Sequence, residues 1–470
     1  MPGLMGSLSI ALGGLQADES GLSVTSNNIS NINTKGYTRQ VVELSEQSPL
    51  ESGGLSYGTG VSVDKITSVR DTILEQNIDA ATQQQSQSQA YTNAMTQVQS
   101  MFNDSSGTGL QSALSGFYNS FTQLATNPTD SAERQAVISA AQTLASTFNQ
   151  MAGNLNNIDA NLDTQVGADV QQINSLASQI ASLNGQLSQA GQQDNNTLLD
   201  QRDQLVQQLS GLTGVTITNN SDGTISVATA NGSPLVSGAQ ASTLTTAVNP
   251  ANGHVDVFAQ GTDITSALSG GDLAGTIQAR DQGVGATLSQ LDTLAAGIAS
   301  SANTAHEAGY DLNGNAGQAL FTVPSSVPGT ASAISVNITS PDEIAASGTA
   351  PTIGDDGTTI TASGDNSNAL AIAALQNQDN VGGEKAIDYY SNLVAQLGSS
   401  VSQATANSTA QQAAITQLQQ QLSSVSGVSL DEESVNLIQY QRAYQASAQV
   451  ISVVNTLMSD AINLGVSTSA

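Results

Sequence analysis

The sequence predicts a mainly α-helical protein that contains a smaller β unit. Apolar residues recur at three-, four- and seven-residue intervals over most of the chain, which is typical of amphipathic helices. Alternating apolar and polar residues between Asn, Asp and Gly clusters, a strand pattern, are confined to a few segments. Aromatic residues make up only 3% of the chain and Trp is absent, so we expect thin, aliphatic cores of the kind found in long helical pairs.

The strongest helical signal lies at the two ends of the chain. The N-terminal apolar row has a spacing of seven and consists of Leu8, Leu15, Leu22 and Ile29. The C-terminal segment carries two such rows, Leu430, Leu437, Tyr444, Ile451 and Met458 in the first and Val450, Leu457 and Leu464 in the second. A seven-residue repeat keeps one stripe of a helix facing a partner helix. Chain ends fray unless something holds them, so both ends indicate association.

The N-terminal half is predicted to consist of one helix, a short strand segment and then further helices. A helix is expected over 4–33, and Gly36 marks the turn that follows it. Residues 37–66 alternate and are rich in Gly, Ser and Val, which predicts short strands or an extended hairpin. Helical spacing returns over Ser68–Asn103. Further helices are predicted at roughly 108–126, 130–190 and 195–212.

The C-terminal half begins with a change of composition. Residues 214–262 read as a small β unit, and residues 309–380 as a loop-rich segment with one or two strands. Helices are predicted at about 275–308, 383–424 and 431–462. We therefore divide the chain into three discontinuous domains: a terminal coiled coil (1–34 with 431–470), a helical domain (35–213 with part of 263–430) and a β-rich domain (214–262 with 309–380).

Two long helical segments contain no charged residue, namely 80–103 and 389–430. Such helices lack the support of ion pairs between successive turns and depend on burial against other helices. A compositional habit of the source organism explains the same pattern equally well.

Composition excludes several classes of function. The chain has a net charge of −29, with nine Lys and Arg against 38 Asp and Glu. Because phosphate recognition needs clustered basic residues, we expect neither nucleic-acid binding nor adsorption to anionic membranes. The absence of cysteine excludes disulfides and thiolate metal sites. The sequence shows no transmembrane stretch and no secretory signal, since its first basic residue is Lys35.

One string resembles a catalytic motif, the GxSxG pattern of Gly54–Gly58 centred on Ser56. In a hydrolase it should sit between a strand and a helix and be followed by an acid and a histidine. No helical pattern begins after it, and His254 and His306 lie far apart in dissimilar contexts. A glycine-rich hairpin explains the string, so we expect no catalytic residue and no enzyme.

No metal or cofactor site is predicted either. The segment from Asp311 to Asn315 resembles the start of a calcium-binding loop, but Ala316 and Thr322 occupy the positions that require Gly and Glu. An Asx-rich turn explains it better. The acidic pairs Asp355-Asp356 and Glu432-Glu433 fit a loop and a helix start.

Longer segments resemble a known family. Ser26–Arg39 is similar to the N-terminal signature shared by bacterial flagellar rod, hook and hook-associated proteins, and Gly427–Ala448 is similar to their C-terminal signature. Segments 222–238 and 303–314 resemble the hook-associated branch of the family. A hook or rod protein would not be expected to carry the long helices of 68–212. The segment 322–380 looks shorter than is usual for that branch.

The resemblance implies a non-enzymatic structural subunit at the hook–filament junction, needed for filament assembly. The terminal helices would form a coiled coil lining the inner tube, the helical domain would form the tube wall, and the β-rich domain would face outward. The implied partners are further copies of the chain in a ring, the hook protein, a second junction protein and a cytoplasmic export chaperone. The implied location is the extracellular flagellum, reached through the flagellar type III export apparatus.

The resemblance also assigns residues to roles. It places the packing of subunits on Leu8, Leu15, Leu22, Ile29, Leu437, Tyr444, Ile451 and Met458. It places the turn that leaves the inner layer at Asn28, Asn31, Gly36 and Tyr37.

Each assignment has an alternative. The apolar rows could form an intramolecular helix pair alone, the tyrosines could be ordinary partly buried aromatics, and the asparagines could satisfy local backbone groups. For the whole protein, the alternatives are another axial protein (hook or rod) and a secreted adhesin or surface-layer protein.

Overall fold

Helices occupy most of the chain in the computed structural model, which describes residues 2–52, 54–102, 107, 109–190 and 195–466. The helices are α1 (Pro2–Ser30), α2 (Thr72–Met101), α3 (Leu110–Leu124), α4 (Ser131–Ala190), α5 (Asn196–Leu212), α6 (Gly271–Gln278), α7 (Gly285–Glu307), α8 (Thr330–Ala333), α9 (Ser367–Ala374), α10 (Ala386–Ser426) and α11 (Leu430–Val466). The predicted fold class, mainly α with a smaller β unit, is confirmed.

The strands pair as short antiparallel ladders. They are β1 (Gln40–Glu46), β2 (Leu50–Ser52), β3 (Leu55–Tyr57), β4 (Val61–Ser68), β5 (Val215–Asn219), β6 (Ile225–Thr229), β7 (Pro234–Ser237), β8 (Gln240–Ala241), β9 (Leu244–Val248), β10 (Val255–Ala259), β11 (Thr262–Asp263), β12 (Phe321–Thr322), β13 (Ser335–Val336), β14 (Thr352–Ile353) and β15 (Thr359–Ile360). β1 pairs with β4, and the predicted β unit forms one sheet of β5 to β8 and another of β9 to β11.

Helix α4 links the two hydrophobic cores. Its 60 residues span about 90 Å at 1.5 Å per residue, too long for one core to cover. Val137–Leu155 of its N-terminal half pack with α2, α3, α7 and α10 around the fully buried Phe117, Phe121 and Phe148. Val166–Ala181 of its C-terminal half pack with α5, α6 and the strands β5 to β11. The apolar three- and four-residue steps of α4 thus serve different partners at its two ends.

The two β-containing segments contribute to different cores, contrary to our grouping of 214–262 with 309–380. Buried residues of 309–380, such as Leu320, Phe321 and Ile344, belong to the cluster around Phe117. Those of 214–262, such as Val227 and Val257, belong to the other cluster. A strand pattern does not reveal which face of a long helix the strand will cover. The division of the chain into domains, with its boundaries, stays a prediction.

The helix predicted at 275–308 begins earlier and is interrupted. α6 starts at Gly271, and the π-helical turn Ala279–Val284 separates it from α7. Arg280, in this turn, is 1% exposed; its Nη1 donates to Asp163 Oδ1 at 2.6 Å and to the Val255 carbonyl at 2.8 Å. The buried guanidinium thereby ties α4 to β10, which gives the irregular turn a structural purpose.

The uncharged stretches of α2 and α10, within 80–103 and 389–430, pack against each other through neutral side chains. Gln411 Nε2 donates to Gln84 Oε1 at 2.8 Å, and Ser408 Oγ donates to Gln89 Oε1 at 3.1 Å. These hydrogen bonds take the place of ion pairs. Along the described stretches of the chain, no helix has the length and apolar content that crossing a membrane requires.

The candidate assembly surface and its joint

The terminal helices α1 and α11 pack antiparallel along most of their length. A Cβ at Gly21 would lie 2.5 Å from Tyr440 Cε1, and one at Gly14 would lie 3.2 Å from Ser447 Oγ. The residue number increases from 14 to 21 along α1, whereas that of the contacting residue decreases from 447 to 440 along α11. The two helices therefore run antiparallel. Glycine at position 21 allows a close approach that would otherwise displace the Tyr440 ring, and a Cβ at position 14 would make a tight contact. We call α1 and α11 the terminal pair.

The predicted interface residues lie on the pair but are not its most buried residues. Leu8, Leu15, Leu22, Ile29, Leu437, Ile451 and Met458 are half-buried. Tyr444 is 37% exposed. The buried apolar residues of the pair are smaller, namely Ala11, Ala17, Val24 and Val454. The large residues therefore contact the partner helix with only part of their surface.

Several large apolar side chains of the pair are uncovered, and the sequence analysis assigned none of them to the interface. They are Met5, Ile10, Leu12, Leu430, Val435, Ile438, Val450, Val453, Leu457 and Ile462, each between 43% and 64% exposed. Val435 and Val453 lie outside the seven-residue rows, whereas Val450 and Leu457 belong to the second row; the Leu464 side chain lies outside the described residues. A helix that is apolar on several faces needs more than one partner. They could have been predicted from the sequence, because apolar residues occur on more than one face of the α11 helix.

Asn28 joins the end of α1 to the start of β1. It is 1% exposed; its Nδ2 donates to the Gln40 carbonyl at 2.9 Å, and its Oδ1 accepts from Gln40 N at 3.0 Å and from the Tyr37 hydroxyl at 2.7 Å. This arrangement holds residues twelve positions apart and so exceeds a local backbone contact. Asn31, in contrast, makes local bonds, since its Nδ2 donates to the Asn27 carbonyl at 3.0 Å and its Oδ1 accepts from Thr34 Oγ1 at 3.1 Å.

Gly36 makes the turn that the sequence predicts. Its φ is +79°, in the left-handed region that favours glycine, and a Cβ there would lie 2.2 Å from Gln204 Nε2. Gln204 Nε2 donates to the Lys35 carbonyl at 3.0 Å. The turn is therefore pressed directly against α5.

One face of α5 binds both segments that lead from the terminal pair into the helical domain. Asp200 Oδ1 accepts from Thr38 Oγ1 at 2.8 Å. Asn196 Oδ1 accepts from Ser68 N at 3.1 Å, and Asn196 Nδ2 donates to the Ile66 carbonyl at 2.9 Å. These residues were not among the predicted site residues, although their spacing of four places them with Gln204 on one helical face.

Further contacts complete this region, which we call the joint: residues 31–40, 66–79, 196–207 and 419–433. Arg70 forms ion pairs with Asp200 and Asp203. Arg39 N donates to the Ser426 carbonyl at 2.9 Å, and its Nη1 lies 2.8 Å from Glu432 Oε2. Arg39 thus ties the link after α1 to the link before α11, so both ends of the chain meet the helical domain at one place.

Burial perturbs the ionisation of several groups at the joint. It raises the pKa of Tyr37 to about 12, with the charges of Asp200 and Glu433 adding to the effect, so this hydroxyl keeps its proton and its donor role. Burial, and next the charge of Asp203, raises the pKa of Glu75 to about 7 and that of Asp79 to about 7.

The motifs that resembled catalytic and metal sites have structural explanations. Ser56 lies in β3, paired with Glu51 in a short hairpin, and β4 rather than a helix follows. The Asp311 carboxylate accepts hydrogen bonds from Asn313 N at 2.8 Å and Asn315 N at 2.7 Å, so the predicted Asx turn is confirmed. His306 is fully buried; its Nδ1 lies 2.6 Å from the Gln318 carbonyl, and its Nε2 accepts from Ala345 N at 2.9 Å.

Comparison with known proteins places these features in a family. The family model described as the flagellar hook-associated protein FlgK helical domain matches residues 95–321. Two further models match the ends: flagella basal body rod protein over residues 8–38, and flagellar basal body rod FlgEFG protein C-terminal over residues 419–464. Flagellar hook-associated protein 1 of Escherichia coli (strain K12) is 31% identical and covers 97% of this chain and 98% of its own length.

The chain belongs to the flagellar hook-associated protein 1 family, the structural proteins of the hook–filament junction. The Salmonella typhimurium relative of the same name is also 31% identical, over 97% of this chain and 99% of its own. The Bacillus subtilis relative is 29% identical, over 96% of each chain. The solved structure of the flagellar hook junction protein FlgK from Burkholderia pseudomallei superposes with a TM-score of 0.67 at 21% identity, over 74% of this chain and 100% of that chain, and supports the fold.

Proposed function

We propose that this chain is the adaptor subunit between hook and filament, and that its terminal pair forms the surface on which copies pack. The observation that supports this most directly is the set of exposed apolar side chains on α1 and α11. It includes Leu12, Val453 and Leu457, which are 48%, 49% and 48% exposed. Exposed apolar surface of this extent marks an interaction site. Assembly into the flagellar axis would cover it with the same helices of neighbouring copies.

Family membership supports further parts of this proposal. The copies would form a ring that meets the hook protein on one side and a second junction protein on the other. The subunit would be exported through the flagellar type III apparatus, accompanied in the cytoplasm by a chaperone, and would reside in the extracellular flagellum. The helical domain would form the wall of the tube, and β5 to β11 would face outward.

Complementation of a deletion strain tests the packing surface. Leu457→Asp places a charge on the proposed surface and should abolish motility, with filament subunits shed into the medium. Ile353→Asp is the matched control, because Ile353 is 79% exposed in β14, outside the terminal pair. It should leave motility intact. Equal swimming by both strains would refute a packing role for this face of α11.

Proteolysis of the dilute monomer tests whether the pair depends on neighbours. Folding that is completed on assembly leaves the segments accessible beforehand. We expect trimming of both ends and a resistant middle that retains the two hydrophobic cores. Ends that resist digestion in a dilute monomer would argue for a self-sufficient intramolecular pair.

The alternatives predict different outcomes. Another axial protein, hook or rod, is compatible with the models that match the two ends, and immunolabelling of isolated hook–filament structures separates these locations. A secreted adhesin predicts motile deletion cells that attach less well to surfaces. An enzyme that uses Ser56 predicts a hydrolytic activity that Ser56→Ala removes, whereas we expect no effect of that substitution.

A further inference from the structure

A cavity of about 430 Å³ lies inside the joint. The link after α1, the start of α2, α5 and the end of α10 all contribute to its wall, so it lies where the terminal pair meets the helical domain. Its charged lining consists of Glu75, Asp79, Asp200, Asp203, Arg70 and Arg202. Four carboxyl groups therefore share a partly desolvated space with two guanidinium groups.

The two arginines leave part of the negative charge uncompensated. Arg70 is engaged by Asp200 and Asp203 of α5, and its Nη1 is 4.0 Å from Glu75 Oε1. Arg202 is divided between two partners, since its Nη1 donates to the Gly223 carbonyl at 2.9 Å and its Nε lies 3.9 Å from Asp203 Oδ1. The charges that act on Asp79 are those of Asp203 and Glu75, both of the same sign as its own.

The charged and titratable groups near Glu75 and Asp79 determine which helices would move when these two carboxyl groups ionise. Asp71 also acts on Glu75 from the start of α2. Tyr37 stays protonated, and Glu433 acts on Tyr37 from α11. The lining from β5, β6 and the end of α10 carries no charge, with Ile217, Asn219, Ile225, Gln419, Leu422, Ser423 and Ser426. Ionisation of Glu75 and Asp79 therefore creates repulsion between the carboxylates of α2 and those of α5.

We propose that the joint is a pH-responsive hinge, in which loss of protons from Glu75 and Asp79 drives α2 from α5 and loosens the attachment of the terminal pair. α5 is the element whose Asp200 and Gln204 hold residues 35–38, so its displacement releases that link. Like charges on partly buried groups repel more strongly than on the open surface. The closed joint is the protonated form.

The direction of the pH dependence follows from the ionisation of these two groups. The pKa of Glu75 is raised from 4.5 to about 7, and that of Asp79 from 3.8 to about 7. The closed joint therefore binds more protons than the open one between these values. Its stability is fully present below about pH 4 and is lost as the pH rises through about 7.

Distance measurement between paired spin labels tests the hinge in the full chain. The chain has no cysteine, so Gln208→Cys on α5 and Asn77→Cys on α2, both exposed positions, give one labelled pair. We expect a narrow distance distribution at about pH 5.5 and a broader or longer one at about pH 8.5. Glu75→Gln with Asp79→Asn should keep the distribution narrow at both values.

The matched control removes the same charge elsewhere. Glu51→Gln with Asp355→Asn changes two exposed carboxylates outside the joint and should retain the full pH response. Circular dichroism at both pH values shows whether each labelled chain is folded. A distribution that does not change with pH in the unsubstituted chain, or that changes equally in the Glu75→Gln/Asp79→Asn chain, would overturn the proposal. The measurement uses the monomer, so its outcome is independent of whether the chain acts at the junction.

Discussion

The terminal pair and the helical core around α3 and α4 are both built from amphipathic helices, yet they bury their apolar residues to very different degrees. Phe117, Phe121 and Phe148 of the core are fully buried. In the terminal pair, Val453 and Leu457 remain about half exposed, at 49% and 48%. The core has partners on several sides within one chain, whereas α1 and α11 have chiefly each other and the β1–β4 ladder. An apolar stripe thus predicts that a helix needs a partner, and the number of intramolecular partners decides whether the stripe serves stability or assembly.

The largest expected effect is in the core. Phe117→Ala removes a ring whose centroid lies 5.1 Å from that of Tyr118 and 5.5 Å from those of Phe121 and Phe321. The cavity should cost about 3–5 kcal/mol of unfolding free energy, measured by urea denaturation of the monomer. Phe117→Leu is the control and should cost much less, because it retains most of the volume. Equal losses for both would show that this core is loosely packed.

The second-largest effect on stability is expected at Gly36, in the turn at the joint. Gly36→Ala introduces a Cβ at 2.2 Å from Gln204 Nε2 in a residue with φ +79°. We expect a cost of about 2–3 kcal/mol, from left-handed strain of about 1–2 kcal/mol and the loss of the Gln204 hydrogen bond, about 1 kcal/mol. Trypsin should consequently cleave faster after Lys35.

The control for this turn is Gly223→Ala. Gly223 has φ +82° and nothing within 4 Å of its ideal Cβ, so it should show only the conformational strain and no change in cleavage after Lys35. If both substitutions altered cleavage equally, contact with Gln204 would not be what holds the turn.

The stability of the packing around His306 and the stability of the joint should depend on pH in opposite directions. Burial lowers the pKa of His306 from 6.5, so the unfolded chain binds the proton more readily. The stability that neutral His306 provides is therefore present above about pH 6.5 and is lost as the pH falls below it. The joint carboxyl groups have the reverse dependence.

Urea denaturation at a series of pH values measures this difference. His306→Gln should flatten the loss of unfolding free energy on acidification, relative to the unsubstituted chain. His254→Gln is the control, because His254 is only half-buried, beside Asp159 and Asp281. A slope unchanged by His306→Gln would mean that other groups govern acid sensitivity.

The smallest effect is expected on the outer face of the terminal pair. Leu457→Ala should change the unfolding free energy of the monomer by no more than about 0.5 kcal/mol, as is usual for exposed sites. The same substitution should weaken incorporation into flagella, measured by complementation. A loss in the monomer comparable with that of Phe117→Ala would mean that the residue is already covered within one chain.

Local patterns in the sequence were sufficient to predict the helices, the site of the turn and the family resemblance. The three-, four- and seven-residue spacings located the long helices of the described residues, because the period of apolar residues follows directly from helix geometry. Gly36 was predictable as a turn, since glycine reaches left-handed conformations without strain. The two terminal signatures indicated a flagellar axial protein, and segments 222–238 and 303–314 narrowed the resemblance to the hook-associated branch.

The tertiary structure decided which surfaces meet. Nothing local distinguishes Asn196 and Asp200 of α5 from any other polar residues four apart, yet they hold Ser68 and Thr38 across more than a hundred residues of sequence. Nor does the strand pattern of 309–380 show that it covers the first half of α4 rather than joining β5 to β11. Periodicity records that a face must be buried, but the identity of its partner depends on contacts between distant segments, and these exist only once the chain has folded.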